Sequence, residues 1–385
     1  MSYKRLSNGA RIIYDDADNV TGAKLTIFIN GGAALLYNNK TSIVKLASDV
    51  LELRLKKLAR TYDLKYKSTI SWDYISYVFD LGERVQKQML SSIIEAFLRT
   101  ATTNDIELAY IKKGVEQKII WEMNRRSELY PIISFLASRQ SAFSWGFYGS
   151  IEDLKSISVD EYNKFEPCYF SPNNIVLIFS GVKYRDIPFK EVQGYKPRFK
   201  DSAFKYASFI GADRSYFATS YLKANSINVV RLCLVSVPCR AASYVYDVVS
   251  RILEQDEMLN SLSDGFYVQN KCNSLIGSME FVFYGDRMPS KDDVFKALYT
   301  SKNRVDEKML DVAKQHLLEE YKVKSNNAAE LSYIAGRAEL LLGDAKRVFD
   351  YTDNIDSVSL VDVKKTLERL GSSNNAYILI RSQDL

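Results

Sequence analysis

Apolar and polar residues follow the periods of strands and helices in the first half of the chain. Residues 11–14 and 24–29 alternate as half-buried strands do, and Asn8-Gly9 before them is a turn signal. Apolar residues then recur every three or four positions over residues 41–58, which predicts an amphipathic helix. The remaining predicted elements are a hairpin over residues 65–81 that ends at Gly82, helices near 86–100, 104–125, 130–144 and 159–166, and a strand at 174–180.

The second half of the chain presents the same elements in the same order. Its predicted elements are a strand at 227–237, a helix at 241–258, a hairpin at 266–284 that ends at Gly285, helices near 290–299, 305–323, 327–343 and 359–369, and a strand at 376–381. Within this hairpin, Met279, Phe281 and Phe283 alternate with Ser278 and Glu280. We therefore expect one buried sheet face and one wetter face.

Four short matches at a single offset of 201 residues indicate that the chain is internally duplicated. Ser-Pro-Asn-Asn at 171–174 matches Ser-Ser-Asn-Asn at 372–375, each just before a strand. The other three pairs are Ser156 with Ser357, Asp105 with Asp306 and Tyr66 with Tyr267. The order of elements predicts an α+β fold of two homologous domains, each a mainly antiparallel sheet with helices packed on one side. We place an N-terminal domain at residues 1–182, a linker at 183–205 and a C-terminal domain at 206–385.

The composition is that of a folded protein and excludes several classes of function. Of 385 residues, 46% are apolar and 26% are charged, which excludes a collagen-like or largely disordered chain. The net charge of +5 is spread over interspersed basic and acidic residues, so we expect no nucleic-acid partner. We interpret the basic stretch from Arg54 to Arg60 as a solvated helix face. The single histidine, His316, excludes any mechanism that needs two imidazoles from this chain, and we interpret it as a packed or flanking residue.

Cysteine spacing and apolar run lengths give expectations about the compartment. None of Cys168, Cys233, Cys239 and Cys272 forms a Cys-x-x-Cys pair, so reduced thiols are expected. The longest apolar run, residues 175–179, is far shorter than the roughly 20 residues that span a bilayer, and no apolar signal core follows Met1. We expect a soluble chain without a membrane span, cytoplasmic if Met1 is its native first residue. A leader removed before Met1 is the open alternative.

Motifs at three places give the chain a resemblance to a known family. They are Leu-Ser-Asn-Gly at 6–9, Gly31-Gly32 after the second strand, and Tyr-Phe-Ser-Pro-Asn-Asn at 169–174, which runs on to Gly181. Together with the duplicated halves, they resemble the pitrilysin/insulinase family of zinc peptidases, and within it the mitochondrial-processing-peptidase-like branch. The resemblance covers essentially the whole chain and implies a metallopeptidase-like scaffold.

The resemblance also implies where the family's chemistry would lie. Members carry His-x-x-Glu-His on the first long helix, where the histidines ligate zinc and the glutamate is the general base, and a glutamate from a later helix completes the ligands. The corresponding positions here are Lys45, Ser48 and Asp49, and Glu122 matches the last ligand. A lysine places a positive charge where a cation must bind, and a serine does not accept a proton near neutral pH. The prediction is a degenerate site with no metal, no cofactor and no catalytic residue.

A second functional position is implied in the other half of the chain. In active members, that half contributes an arginine and a tyrosine that approach the substrate carbonyl near the metal. The matching stretch here, residues 259–267, has Asn260 in place of the arginine and keeps a tyrosine as Tyr267. Tyr267 is therefore a candidate substrate-binding residue, and ordinary aromatic packing in a strand is an equally good interpretation.

Two functions from different classes agree with these residues. The first is an inactive subunit of a two-chain processing peptidase. In this heterodimer a homologous partner carries the zinc site, and this chain contributes peptide binding to a shared substrate chamber. The second is a structural or scaffold protein, or a peptide-binding protein, with no proteolytic role, as in the family's subunits of respiratory complexes. A homologue of similar length that carries the intact motif and co-purifies with this chain would separate the two.

Overall fold

A computed structural model of the chain shows a mixed fold and describes residues 1–15, 22–82, 85–99, 102–124, 146–200, 204–206, 216–223, 228–239, 243–274, 277–372 and 375–383. Helices make up 53% and strands 22% of the structure, and the sheets are mainly antiparallel, so the predicted α+β fold is confirmed. Contacts divide the chain into two compact units. The first contains Met1–Trp121, Trp145–Ala207 and Lys324–Val348, and the second contains Glu122–Ser144, Ser208–Val323 and Phe349–Leu385.

The first unit is built around a six-stranded sheet. The strands of this unit, in chain order, are β1 (Ser2–Arg5), β2 (Arg11–Asp15), β3 (Ala23–Asn30), β4 (Leu35–Leu36), β5 (Lys65–Ile70), β6 (Tyr74–Gly82), β7 (Ile175–Ser180) and β8 (Lys205–Tyr206). The spatial order is β1-β2-β7-β3-β6-β5, and β4 with β8 forms a separate short ladder. Within the six-stranded sheet, β2 and β7 are parallel and the other neighbours are antiparallel. The spatial order places β5 at one edge of this sheet.

Helices pack on the face of this sheet that carries Tyr77. The helices of this part of the chain are α1 (Ile43–Tyr62), α2 (Lys87–Leu98), α3 (Asp105–Asn124), α4 (Ile151–Ser156), α5 (Val159–Tyr169) and α6 (Phe189–Gln193). Tyr77 in β6 meets Phe97 of α2 edge to face, with ring centroids 5.1 Å apart. Both rings are almost fully buried, so this contact joins the helix layer to the sheet through a large apolar area.

The second unit repeats the strand order of the first. Its strands are β9 (Tyr216–Lys223), β10 (Val229–Ser236), β11 (Gly265–Cys272), β12 (Gly277–Tyr284) and β13 (Asn375–Gln383). The order β11-β12-β10-β13-β9 matches β5-β6-β3-β7-β2, and the parallel pair again lies at the end away from the hairpin. The later helices are α7 (Tyr244–Glu254), α8 (Glu257–Ser261), α9 (Lys291–Arg304), α10 (Glu307–Ser325), α11 (Ala328–Leu342), α12 (Tyr351–Asp356) and α13 (Leu360–Ser372). Within the described ranges, no helix is long and apolar enough to cross a bilayer.

Helix α11 comes late in the sequence but packs in the first unit, against β2, β3 and β7. Phe28 in β3 and Ile178 in β7 point to the face opposite Tyr77, because side chains alternate along a strand and Phe28 pairs with Ser76, the neighbour of Tyr77. Gly336 of α11 lies directly over Ile178. The central strands β3 and β7 are therefore covered on both faces, which explains their nearly continuous burial.

The polar face of the second hairpin is buried, so the expectation of a wetter face there is wrong. Ser278 is 5% exposed and Glu280 is 1% exposed. The Glu280 carboxylate pairs with Arg231, 3.5 Å away, and with Lys271. A carboxylate can be buried at acceptable cost when charged partners contact it, and those partners come from neighbouring strands that the local alternation does not reveal.

The segment predicted as a linker folds onto the first unit. Ile187 and Val192 are buried. The side chain of Asn8 donates from Nδ2 to the carbonyl of Val192 at 2.7 Å. The segment lacks a clear apolar period because short turns and α6, rather than a long regular element, carry its buried residues.

The helix predicted at 241–258 is broken into α7 and α8. The Asp256 side chain accepts hydrogen bonds from the backbone N–H groups of Met258 and Leu259, at 2.9 and 3.1 Å. This is the geometry of an N-cap, which starts a new helix and so ends the previous one. The helix predicted at 130–144 lies outside the described residues.

Two of the four cysteines form a disulfide, which corrects the expectation of reduced thiols for that pair. Cys239 follows β10 and Cys272 ends β11, and their Cα atoms are 5.3 Å apart. Cys168 and Cys233 are free, and Cys233 is fully buried. The two cysteines are 33 residues apart in the sequence. They follow or end strands that are not neighbours in the sheet, because β12 lies between β10 and β11, so no local pattern predicts the pairing.

The motif residues at the ends of β3 and β7 make structural contacts. Asn174 donates from Nδ2 to the carbonyl of Asn30 at 3.0 Å and to that of Tyr169 at 2.8 Å. Gly31 follows β3 with φ at 94°, a conformation that favours glycine. Gly32 lies so close to the backbone of Ser71 that a Cβ would approach its carbonyl oxygen to 2.0 Å. These positions therefore make structural contacts where β3 and β7 meet the neighbouring turns.

Two helical glycines should respond to substitution in opposite directions. A Cβ at Gly336 would lie 2.1 Å from Ile178 Cδ1, whereas a Cβ at Gly114 in α3 would meet no atom within 4 Å. We expect Gly336→Val to lower the free energy of unfolding by about 1–3 kcal/mol through overpacking. Gly114→Ala should raise it by roughly 0.5–1 kcal/mol through helix propensity. Urea denaturation followed by circular dichroism measures both, and a neutral Gly336→Val would contradict the close contact between α11 and the sheet.

Candidate functional site

Helix α1 presents the three candidate positions on one buried face. Lys45, Ser48 and Asp49 are spaced at i, i+3 and i+4, so their side chains project from the same side of the helix. They are 5%, 1% and 7% exposed, respectively. The helix begins at Ile43, directly after Ser42, and its first two turns are entirely buried. The polar side chains therefore sit inside the protein and need local partners.

Asp49 binds two ammonium groups. One carboxylate oxygen, Oδ1, accepts a hydrogen bond from Lys45 Nζ, and the other, Oδ2, lies 2.8 Å from Lys118 Nζ. Lys118 belongs to α3, so this ion pair joins two helices that are far apart in sequence. The Lys45 ammonium also lies 5.0 Å from the ring centroid of Tyr148, in a cation–π contact. We call Lys45, Asp49 and Lys118 the ion trio.

The protonation of the ion trio follows from burial and charge. Burial lowers the pKa of Lys45, and the charge and hydrogen bond of Asp49 offset part of that effect. Burial would also lower the pKa of Lys118, but the hydrogen bond and charge of Asp49 outweigh it and raise the pKa. A protonated lysine carries no lone pair, and in the ion pairs with Asp49 both ammonium groups act only as hydrogen-bond donors. Neither lysine is therefore placed to act as a general base.

Ser48 is held by a phenol rather than by a base. Its Oγ lies 2.9 Å from Tyr77 Oη. Burial raises the pKa of Tyr77 far above its usual range, so this hydroxyl remains protonated. A serine nucleophile needs a neighbouring group that removes its proton, and a protonated tyrosine is not one. The position at which the resemblance implies a general base therefore holds a side chain that only donates and accepts neutral hydrogen bonds.

The residues present do not fit a zinc ion. Zinc binds through ligand lone pairs, which an ammonium group lacks, and both oxygens of Asp49 already accept hydrogen bonds from lysines. Within the part of the chain that the structure describes, no group of three or more His, Cys, Asp or Glu side chains is arranged to hold a metal. No hydrolytic step through a metal is derived for this site.

The structure places the other candidate residues on described elements. Glu122 is buried in the last turn of α3, four residues beyond Lys118. His316 is exposed on α10, and its Nδ1 lies 2.9 Å from Gln255 Nε2, which agrees with a flanking role. Neither observation assigns a chemical role to these two side chains.

Asn260 and Tyr267 lie in the second unit. Asn260 Nδ2 donates to the carbonyls of Glu254 and Asp256, at 2.8 and 3.0 Å, and so stabilises the connection between α7 and α8. Tyr267 is half-buried on β11, an edge strand of its sheet, with its ring centroid 6.4 Å from that of Tyr284. The Asn260 side chain thus stabilises local structure, and Tyr267 lies on a strand that pairs only with β12 among the described strands.

A cavity of about 530 Å³ opens beside the ion trio. Its walls include Lys45, Ser48, Glu52, Lys118, Trp121 and Tyr148, together with Ser68 and Ile70 of the edge strand β5. Sequence reasoning did not identify Lys118, although it lies one helical turn before the candidate Glu122, and the i, i+4 spacing could have drawn attention to it. Tyr148 had no sequence signal, because only the folded chain brings it over Lys45.

Comparisons with known proteins show which fold this is. No protein-family model matches the chain, and no curated protein sequence is significantly similar to it. Among solved structures, a protease from Helicobacter pylori superimposes with a TM-score of 0.78 at 14% identity, over 99% of both chains. A chain described as an M16-like peptidase, from Alicyclobacillus acidocaldarius, gives a TM-score of 0.80 at 13% identity, over 99% of this chain and 98% of that one.

A third solved structure has the same fold. A chain of Complex III2 from Candida albicans, with Inz-5 bound, superimposes with a TM-score of 0.76 at 13% identity, over 99% of this chain and 95% of that one. At these identities the likeness concerns the fold alone. The chain therefore has the fold of the M16-like peptidases along its whole length.

Removing the carboxylate of the ion trio should be far more costly than removing an exposed one. Asp49→Ala leaves the buried Lys45 ammonium without its counter-charge, so we expect a loss of about 3–5 kcal/mol in the free energy of unfolding. The control is Glu95→Ala, which breaks the exposed Arg99–Glu95 pair and should cost less than about 1 kcal/mol. Urea denaturation measures both losses, and equal losses would contradict a buried ion pair.

The loss of folding stability in the Asp49→Ala variant should also depend on pH. Without Asp49, the folded-state pKa of Lys45 falls further below its unfolded value, because burial and the Lys118 charge lower it and the opposing effect of Asp49 is gone. The unfolded chain then binds more protons than the folded chain, so the stability of the variant rises with pH up to roughly 10.4, the usual lysine value. Denaturation at pH about 6.5 and about 9.5 should therefore show a smaller deficit, relative to the unmodified chain, at the higher pH.

Proposed function

We propose that the chain is a non-catalytic member of the pitrilysin/insulinase family that forms part of the substrate chamber of a two-chain zinc peptidase. A homologous partner that carries the metal site would perform the cleavage, and this chain would bind extended peptide together with it. The observation that carries the proposal is the ion trio. The fold of M16-like peptidases is present along the whole chain, while Lys45 and Asp49 occupy the face of α1 on which the resemblance locates the metal, and Lys118 of α3 binds Asp49 there.

Peptide binding is supported by the edge strand beside the cavity. Among the strands that the structure describes, β5 pairs only with β6, so its other side presents backbone N–H and C=O groups for pairing. Ser68 and Ile70 of β5 line the cavity, which places this edge next to the ion trio. An extended peptide that adds to such an edge gains backbone hydrogen bonds with little sequence selection. Tyr267, on the edge strand β11 of the second sheet, is proposed as a further peptide contact.

The repeat boundaries remain part of the proposal. Residues 1–182 and 206–385 would be the two peptidase-like repeats, joined by 183–205. Helix α11 belongs to the second repeat by sequence and to the first unit by its contacts. The placement of α11 in the first unit is compatible with a duplicated origin, since the strand orders of the two sheets agree.

A structural role without proteolysis is the second candidate. One structural neighbour is a chain of Complex III2 from Candida albicans, a respiratory assembly. A chain with this fold could likewise serve as a scaffold or a peptide-binding component of a larger assembly. In that case its loss would disrupt the assembly rather than a cleavage reaction.

Isolation of the native complex separates the two candidates. We expect the tagged chain, purified from its native cells, to bring down a homologue of similar length that carries His-x-x-Glu-His. Adding this chain to that partner should raise cleavage of an extended peptide by about tenfold or more. A recovered partner whose peptidase rate is unchanged by this chain, or a recovered assembly with no zinc homologue, would contradict the peptidase proposal and favour the scaffold.

Rebuilding the family motif tests the location of the lost metal site. We expect the triple variant Lys45→His, Ser48→Glu and Asp49→His to bind about one zinc ion per chain, because two imidazoles then lie one helical turn apart. Mass spectrometry of the dialysed protein measures the zinc content, and the unmodified chain is the control. Adding Glu122→Gln to the triple variant should reduce zinc affinity if Glu122 is the kept ligand. A folded triple variant without zinc would contradict the assignment of these positions.

A further inference from the structure

Helix α3 is apolar on two opposite sides, one buried in the first unit and the other largely exposed. Leu108, Ile111, Val115 and Ile119 are buried at helical spacing. The other side exposes Ile106, Tyr110 and Trp121, whose exposed fractions are 85%, 72% and 52%. Large apolar side chains on an otherwise satisfied surface helix mark a site of interaction.

The exposed side of α3 borders a groove. A second cavity, of about 370 Å³, lies between α1 and α3 and shares Glu52, Gln117 and Lys118 with the cavity beside the ion trio. We call this continuous depression the α1–α3 groove, defined by Leu53, Lys56, Tyr110, Lys113, Lys118 and Trp121. Its concave form suits an inserted chain segment rather than a flat surface.

The charge of the groove is positive. Lys45, Lys56, Lys113 and Lys118 line the two cavities, against the carboxylates of Asp49 and Glu52. The lysines outnumber the carboxylates two to one, and both carboxylates are already engaged by side-chain donors. Asp49 binds two lysines, and Glu52 accepts a hydrogen bond from Ser68 Oγ at 2.8 Å.

Two lysines at the rim are available for a partner. Lys56 and Lys113 form no ion pair with any residue that the structure describes, and both are exposed. If two copies of this chain paired through this groove, the lysines of one copy would face the lysines of the other. This repulsion disfavours self-association through the groove. An acidic segment has the complementary charge.

We propose that the α1–α3 groove binds an acidic peptide segment, whose carboxylates pair with Lys56, Lys113 and Lys118 and whose apolar side chains pack against Tyr110 and Trp121. The stripe from Ile106 to Trp121 covers roughly 22 Å of helix, at 1.5 Å per residue. An extended segment of about seven residues has the same length. The inference rests on the proposed peptide-binding role and adds a charge preference to it.

The test compares peptides that differ only in charge. Three fluorescent peptides of about ten residues keep the same Leu and Phe positions and carry Glu, Gln or Lys between them. Anisotropy titrations with the full chain give the dissociation constants. At about 50 mM salt we expect the Glu peptide to bind about tenfold or more tighter than the Lys peptide, with the difference shrinking at about 200 mM salt.

Charge-reversed variants locate the binding site. The double variant Lys56→Glu with Lys113→Glu should bind the Glu peptide about tenfold more weakly and the Lys peptide more tightly than the unmodified chain does. The matched control, Lys164→Glu with Lys183→Glu, changes the net charge equally at exposed positions that line neither cavity, and should leave both constants unchanged. The Tyr110→Ala variant should bind the Glu peptide severalfold more weakly with the same salt dependence of binding, because the substitution removes apolar contact only.

Several results would overturn the proposal. They are equal affinity for the Glu and Lys peptides, equal effects of the groove and control variants, or binding to anionic vesicles in place of peptides. Self-association that is abolished by Lys56→Glu with Lys113→Glu would assign the groove to a second copy. If this chain raises the peptidase rate of a recovered partner equally for acidic, neutral and basic peptides, the groove proposal is contradicted but the two-chain proposal is not. Acidic-peptide binding without a zinc homologue in the native complex would contradict the two-chain proposal alone.

Discussion

A buried positive charge needs a negative charge in contact with it, and the Lys45–Asp49 pair satisfies that need at the centre of the candidate site. The positive charge is supplied by the chain itself, so it cannot be lost or exchanged as a bound metal can. Lys118 completes the arrangement from α3 and ties that helix to α1. The cavity, the groove and the position of β5 are all defined relative to these two helices.

The fold and the site obey different constraints. At 13–14% identity to the solved M16-like neighbours, the chain keeps the same architecture over its whole length. Sheet order and helix packing depend on which positions are apolar, and many sequences satisfy that pattern. A metal site depends on the identity of a few side chains, so it can be lost while the scaffold persists. In β3 and β7, which are covered on both faces, nearly every position is buried and most are apolar.

Most regular elements could be predicted from periodicity, and the failures have local physical causes. The strands β3 and β7 and helices α1 and α3 lie within a few residues of their predicted positions. The break between α7 and α8 was missed because an aspartate in a helical pattern reveals its capping role only through its hydrogen bonds. The burial of Glu280 was missed because its partners are on other strands. The Cys239–Cys272 disulfide was missed for the same reason.

The sequence alone determined that two imidazoles cannot meet in this protein, because it contains one histidine. It also determined the duplicated order of elements, since periodicity and spacing are local properties. Only the tertiary structure decided what Asp49 binds, because Lys118 lies 69 residues away and approaches it only when α3 packs beside α1. It likewise decided that α11 covers the first sheet. Contacts between distant segments depend on how helices and sheets pack, and no local pattern of residues encodes them.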